Sequence, residues 1–265
     1  MKIGRINFAN LYPIFYCLQH PRATANSTMK YEFTDGVPSE INALLRQGII
    51  DAGPSSSIEY LRSPQLYNLI DGHSISSFGR IMSIILFSRA GVLNALDGQT
   101  VLSSYQAETS TGLLQIVLRK FYNLNVEIKT SRAPLMEGLR QYPAYLLIGD
   151  NALFEAASTE NSGLMRYDLG EIWYEQTGVP FVFALWISRR QCEDALMVAL
   201  RSDLDAAKAD AMLSFGGIAQ NCPYTQRFPV ETLVSYWRTI SYDLTARHID
   251  GLDLFGKYLM ELGLI

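Results

Sequence analysis

Cysteine and histidine are scarce in this chain, three of each among 265 residues. Cys17, Cys192 and Cys222 are odd in number, far apart and outside any C-x-x-C pair, so reduced structural thiols are expected rather than a disulfide framework or a zinc site. His20, His73 and His248 are the whole supply of imidazole. The chain also lacks a G-x-S-x-G elbow, a G-x-x-x-x-G-K-[ST] loop, an H-E-x-x-H pair and a G-x-G-x-x-G turn. These absences disfavour hydrolase triads, nucleotide-phosphate loops and the common metal sites, and no metal or cofactor is expected.

An excess of charge of one sign is missing too. Twenty-two Lys and Arg stand against 26 Asp and Glu, a formal charge of -4, which gives no general electrostatic reason to bind nucleic acid or anionic lipid. No segment approaches the roughly 20 apolar residues of a membrane span, and the opening Lys2-Ile3-Gly4-Arg5-Ile6-Asn7 lacks the apolar stretch of a secretory signal. A soluble, cytoplasmic protein is expected. Repeats, low-complexity tracts and linker-like stretches are lacking, so any two lobes must be intimately connected.

What is present is α/β patterning. Short apolar runs at Lys2–Asn7, Met29–Thr34, Ile49–Gly53, Ile81–Phe87, Thr100–Ser103, Asn125–Lys129, Tyr145–Ile148 and Phe181–Trp186 predict largely buried strands. Helical patterns alternate with them: Leu11–Leu18 with Pro13 in its first turn, Ser39–Arg46 with Ser39 as N-cap, and Thr109–Phe121. After Trp186 the chain reads as helices alone, Gln191–Phe215, Val230–Ile240 and Leu244–Leu262, separated by Gly216-Gly217 and by the Pro223 and Pro229 region.

Six segments could carry chemistry. In Gly4–Pro13 a strand runs into a helix at the carboxyl end of the sheet, where ligands of open α/β sheets sit; Asn10 there either caps the helix or aims its amide at a ligand. Ser55, Ser56 and Ser57 follow a predicted strand and open a helix, a combination that favours an anion, since plain capping needs one serine rather than three. The polar stretch from His73 to Arg80, with Ser76 and Ser77, reads as a loop beside a buried strand, and His73 alone is a weak catalytic signal. Ser103–Thr111 repeats the serine logic with Thr109 and Ser110, so a molecule with two carboxylates could be held by two such helix starts. Gly149 permits close backbone approach, and Asp150 is a helix N-cap or a buried acid. The aromatic stretch Tyr167–Trp186 is mostly core, with some rings able to wall a pocket.

These segments together resemble the chorismate dehydratase family of the futalosine route to menaquinone. The residues that carry the resemblance are Gly4-Arg5-Ile6, Asn10 and Pro13; Gly36-Val37-Pro38-Ser39; Ser56-Ser57-Ile58-Glu59-Tyr60; Ile75-Ser76-Ser77 and Gly79; Thr109-Ser110; Ile148-Gly149-Asp150 with Ala152-Leu153; and Asp168-Leu169-Gly170 with Trp173 through Thr177-Gly178, Pro180-Phe181-Val182-Phe183-Ala184 and Trp186. Where the family often has a serine shortly before the Thr-Ser pair, this chain has Ala107.

The resemblance implies a type II periplasmic-binding-protein-like fold with a ligand cleft between two lobes. Lobe 1 is expected to be discontinuous, 1–90 plus 186–265, with lobe 2 spanning 91–185. It also implies a cofactor-free lyase acting on chorismate, a small dicarboxylate. Asn10 and Ser77 then stand near the reacting centre, Ser55, Ser56, Thr109 and Ser110 hold carboxylates, and Ser76, Gly149 and Asp150 line the substrate. None of the serines, Thr109 or Asn10 is a convincing general base, which leaves Asp150 or, preferred, the substrate's own enolpyruvyl carboxylate. The rival from another class is a solute-binding protein that captures a small carboxylate without turning it over. A ligand-sensing domain of a regulator would need a DNA-binding module and a basic surface, neither of which is seen.

Overall fold

The computed structural model describes residues 1–21, 29–160 and 162–265. In chain order the elements are β1 (Lys2–Ile6), α1 (Tyr12–Gln19), β2 (Glu32–Gly36), α2 (Pro38–Arg46), β3 (Ala52–Ser56), α3 (Ser57–Arg62), β4 (Tyr67–Ser77), β5 (Ile84–Ser88), β6 (Thr100–Ser104) and α4 (Glu108–Gln115). There follow β7 (Glu127–Ser131), α5 (Leu135–Gln141), β8 (Ala144–Ile148), α6 (Gly149–Ser158), β9 (Met165–Asp168), α7 (Leu169–Thr177), β10 (Phe181–Arg189), α8 (Asp194–Gln220), α9 (Val230–Thr239) and α10 (Ala246–Glu261). The chain forms two compact units, one of residues 1–76 with 182–249, the other of residues 77–181 with 250–265.

The first unit is built on a five-stranded sheet of order β2-β1-β3-β10-β4. β1 runs parallel to β2 and β3, and β10 runs antiparallel to β3, pairing Leu185 with Ser55 and Ala184 with Ser56. β3 is buried along its whole length, as expected for a strand covered on both faces. α8 packs on α1 and α9. The indole of Trp237 on α9 donates to the Ala9 carbonyl (2.7 Å), tying the helical segment to the end of β1.

The second unit repeats the plan with order β7-β6-β8-β5-β9. β6 is parallel to β7 and β8, and β5 runs antiparallel to both β8 and β9. Ile85, Phe87, Leu102, Leu135, Leu139, Tyr145 and Leu147 form a core cluster there. A second cluster joins the buried Trp173, Phe181 and Phe255, with ring centroids 5.1 Å apart for Trp173 and Phe181 and 4.8 Å for Phe181 and Phe255. The aromatic stretch is therefore core, as its composition implied.

The structure corrects several expectations. The polar stretch from His73 to Arg80 is a loop only from Phe78 on; His73–Ser77 is the end of the long strand β4. Its hydroxyls are buried because a later segment satisfies them: Ser74 Oγ donates to the Asp243 carbonyl, Ser76 Oγ donates to the Ser241 carbonyl (3.1 Å), and Ser76 bridges Ser241 through the backbone. That bridge also means the segment after Trp186 is not purely helical. The break expected at Gly216-Gly217 falls instead at Ser214, a non-helical residue where α8 kinks before continuing through both glycines to Gln220. The second and third strands start three residues later than the apolar runs suggest, and β9 carries no apolar run to announce it. α2 starts from Val37, not Ser39, with Glu40 accepting from the Val37 N–H (3.0 Å). The expected boundaries near 90 and 185 differ from the division into units at 76/77 and 181/182, and all of α10 beyond its first turn belongs with the second unit.

His73 is 3% exposed, with Nε2 3.1 Å from Asp205 Oδ1. Burial, with help from Lys208 and against the pull of Asp205, brings its pKa down from 6.5 to about 4. The unfolded chain therefore takes the proton first. Stability is full above pH 6.5 and falls as pH drops from 6.5 towards 4, by about 2–3 kcal/mol from this group. His73→Gln should flatten that part of a urea-denaturation pH series; an unchanged slope would refute the assignment. A Cβ on Gly251 would lie 2.0 Å from the Pro180 carbonyl oxygen, which nothing but backbone movement can relieve. Gly251→Ala should cost about 2–3 kcal/mol, read as a lower Tm.

Candidate functional site

Parallel strands joined by helices place every strand end and helix start at the same edge of a sheet. In the first unit this edge carries the turn after β1, with Asn10, and the end of β3, with Ser55 and Ser56. Asn10 does not cap α1: the N-cap position is Leu11, and no side chain bonds the helix start. Its carbonyl is fixed by the Tyr242 hydroxyl (2.7 Å), while its Oδ1 is buried with no hydrogen-bond partner among the described residues. A buried amide oxygen left without a donor costs about 1–3 kcal/mol, so a donor on a ligand is its natural complement.

Ser55 and Ser56 meet on one buried amide, Asn42 of α2. Ser55 Oγ donates to Asn42 Oδ1 (2.7 Å), and Asn42 Nδ2 donates to Ser56 Oγ (2.9 Å). Ser55 has thus spent its proton, whereas Ser56 only accepts and keeps its own proton to give. Ser57, the third serine, donates to the Val182 carbonyl and anchors β10, so the triple run has a structural component. Ser76 is likewise held by Ser241, in the segment whose Tyr242 fixes Asn10.

Arg5, a cation at this edge, is committed. Its Nε and Nη2 donate to the two carboxylate oxygens of Asp35, which holds the Asp35 carboxyl below the usual aspartate range. A cavity of about 270 Å³ lies beside the pair, walled by Asn7, Tyr12, Tyr16 and Tyr224.

The corresponding edge of the second unit gathers more. β6 and β8 are parallel, so α4 and α6 start side by side there. β5 is antiparallel to β8, pairing Ile84 with Ile148, so the turn that feeds β5, residues 77–83, lies at the same edge. β9 ends there as well, since Ile85 pairs with Asp168. Thr109 and Ser110 are buried in the first turn of α4, whose N-cap is Ala107 and receives no side-chain cap. The dipole and hydroxyls of such a start suit a carboxylate. Ser103 and Thr111 bond each other (2.6 Å) rather than facing outward.

Gly149 and Asp150 form the first turn of α6, and Ile148, not Asp150, is its N-cap. Gly149 adopts φ +60°, and its N–H donates to the Ser83 carbonyl (2.8 Å), so that amide is spent on the turn rather than offered to a ligand. Ser77 is fully buried, and its hydroxyl donates to the Gly79 carbonyl (2.7 Å). Its proton is spent on that bond, and its oxygen can still accept.

Asn42, Tyr242 and Asp168 shape these edges; Asn42 and Tyr242 were not singled out from sequence, and Asp168 stood only among the residues that carry the resemblance, with no role assigned to it. Asp168 could have been read as the N-cap of α7, since Leu-Gly-Glu follows it, and it does accept from Gly170 N (3.0 Å) and Glu171 N (3.2 Å). Its bonds to Ile81 and Met82 have no local signature. Among the described residues no three of His, Cys, Asp and Glu cluster as metal ligands, and no helix is long and apolar enough to cross a membrane.

The chain is similar to the chorismate dehydratase of Thermus thermophilus, 29% identical over 214 residues, which cover 75% of this chain and 74% of that protein. Among solved structures it resembles a protein of Archaeoglobus fulgidus, with a TM-score of 0.80, 16% identity and coverage of 100% and 98%. It also resembles the alkanesulfonate-binding protein of Xanthomonas axonopodis pv. citri bound to MOPS, with a TM-score of 0.71, 15% identity and coverage of 100% and 93%. At such identities these structures show the fold alone, which is periplasmic-binding-protein-like. Residues 1–261 match the family model described as menaquinone biosynthesis, and the chain belongs to that family.

Proposed function

We propose that this protein dehydrates chorismate to 3-[(1-carboxyvinyl)oxy]benzoate in the cytoplasm, as a step in menaquinone biosynthesis. The family supports the reading. The geometric observation that carries it is the start of α4, where Ala107 leaves the helix without a side-chain cap and Thr109 and Ser110 bring hydroxyls to the same turn. The dipole and hydroxyls of such a turn favour a carboxylate.

The reaction removes a ring C–H proton and the neighbouring hydroxyl, which leave together as water. Aromatisation supplies the driving force, so no cofactor is invoked. The departing proton is conjugated through a double bond to the ring carboxylate, which takes up negative charge as the C–H bond breaks. Donors placed at that carboxylate therefore lower the barrier of a stepwise elimination. We assign the α4 start, with Thr109 and Ser110, to a carboxylate of the substrate; in the other unit Ser56, with a proton to give, is a donor suited to an anion. Asn10, in the first unit, offers an unpartnered acceptor that suits a donor on a ligand; Ser77, in the second, offers lone pairs that suit the hydroxyl that departs, orienting it through its own proton. Ser55, Ser76 and Gly149 support these groups through bonds already made within the fold.

Of the residues singled out only Asp150 carries an acid–base side chain, and we assign the proton instead to the substrate's enolpyruvyl carboxylate, which then returns it to the departing hydroxide. This is substrate-assisted removal, and it makes Asp150 a contact rather than the base.

Chorismate incubated with the purified chain should give the aromatic product, followed by its ultraviolet absorbance; tight capture without turnover would favour a solute-binding protein instead. Asn10→Ala and Ser77→Ala should each lower kcat at least a hundredfold while the variants stay folded, the scale of removing one preorganised polar group. Ser110→Ala should instead raise KM by about tenfold, the value of one hydrogen bond to a charged group. Asp150→Asn should retain most of its turnover, and loss of turnover with intact chorismate binding would make Asp150 the base.

A further inference from the structure

The turn that presents Ser77 joins β4 to β5 through Ser77-Phe78-Gly79-Arg80-Ile81-Met82-Ser83. It is an unfavourable conformation for this sequence. Gly79 adopts φ +103° and Met82 φ +67°, and the left-handed region costs a side chain like methionine about 1–2 kcal/mol. Some other part of the unit must hold it.

Asp168 does so from the far side of the sequence. Its Oδ2 accepts from the N–H groups of Met82 (2.7 Å) and Ile81 (3.1 Å), and Oδ1 accepts from Gly170 (3.0 Å) and Glu171 (3.2 Å). Capping α7 uses only the last two. The additional pair comes from residues 86 and 87 positions earlier, which capping alone does not require. The carboxylate is 7% exposed, so these donors rather than water solvate it. Burial raises its pKa, and the backbone donors from Met82, Glu171 and Ile81 work against that rise.

Gly170 completes the arrangement. A Cβ there would stand 2.6 Å from the Gly79 carbonyl oxygen and 3.0 Å from Ser77 Oγ. That carbonyl is the group that takes the Ser77 proton, so the bare Cα of Gly170 is what lets the turn close down on α7. At its other end, the Ser83 carbonyl accepts from Gly149 at the start of α6.

We infer that Asp168 is a positioning residue for Ser77: its buried carboxylate, gathering the N–H groups of Ile81 and Met82 onto the start of α7, sets the turn that aims the Ser77 hydroxyl. This rests on the proposed role of Ser77 and adds to it a residue that touches no substrate. It assigns the Asp168-Leu169-Gly170 run a catalytic consequence, with the aspartate holding the turn and the glycine admitting it.

The test is a double-mutant cycle on the full chain with chorismate. Asp168→Asn replaces a carboxylate oxygen with a donor that faces the N–H groups of Ile81 and Met82. It should lower kcat at least tenfold with KM changed less than threefold, and it should speed amide exchange at Ile81 and Met82 while leaving Leu102 and Tyr145 protected. In the Ser77→Ala background the same change should cost less than twofold, because the group it positions is gone. Gly170→Ala keeps the carboxylate and crowds Gly79; it should give the same pattern and stands in should Asp168→Asn not fold. Additive losses in the cycle, or unchanged kcat in both variants, would overturn the inference while leaving the dehydratase reading intact. Absence of turnover by the unaltered chain would sink both, and is seen before any variant is made.

Discussion

Two parallel strands cannot be joined by a tight turn, and everything of functional interest here depends on that constraint. The crossover must return over the face of the sheet, so the helices that connect the parallel strands begin where those strands end, at one shared edge of each sheet. In the first unit the constraint puts Asn10 near Ser55 and Ser56. In the second it puts the starts of α4 and α6 side by side, and the antiparallel β5 adds the Ser77–Ser83 turn and the start of α7. Groups up to about 90 residues apart in sequence become neighbours with no local interaction between them to announce it.

Within those edges the polar groups divide by how completely the fold satisfies them. Asn42 spends both ends of its amide on Ser55 and Ser56, and Asp168 takes four backbone donors. Such saturated buried groups rigidify the backbone around them, because breaking any one bond leaves an unpaired partner away from water. Asn10 Oδ1 is the contrast, a buried acceptor with nothing to accept. Rigid surroundings holding one unsatisfied group is the arrangement expected of a preorganised site.

The fold itself is silent on whether such a site only binds. A likeness to an alkanesulfonate-binding protein at 15% identity shares the architecture and no more. The choice between capture and catalysis falls to particular atoms: a proton kept by Ser56, one given up by Ser77 to Gly79, and a helix start left without a side-chain cap.

The α/β class, most strands, the helices of the chain's last third and the serine-bearing segments were legible in the sequence, because apolar periodicity and helix-start residues are local signals. β4 was not: its polar residues look like a loop until the segment at Ser241–Asp243 pairs with them, and periodicity cannot register a partner 165 residues away. For the same reason the sequence offered Asn10, Asp150 and Ser39 as caps, while the structure gives those positions to Leu11, Ile148 and Val37. By itself the sequence determined which residue types stand at strand ends and helix starts, since those preferences act over three or four residues. Only the tertiary structure decided which hydroxyls are spent and which remain to act, because a hydrogen bond takes its partner from whatever the folded chain brings within 3 Å, however distant in sequence.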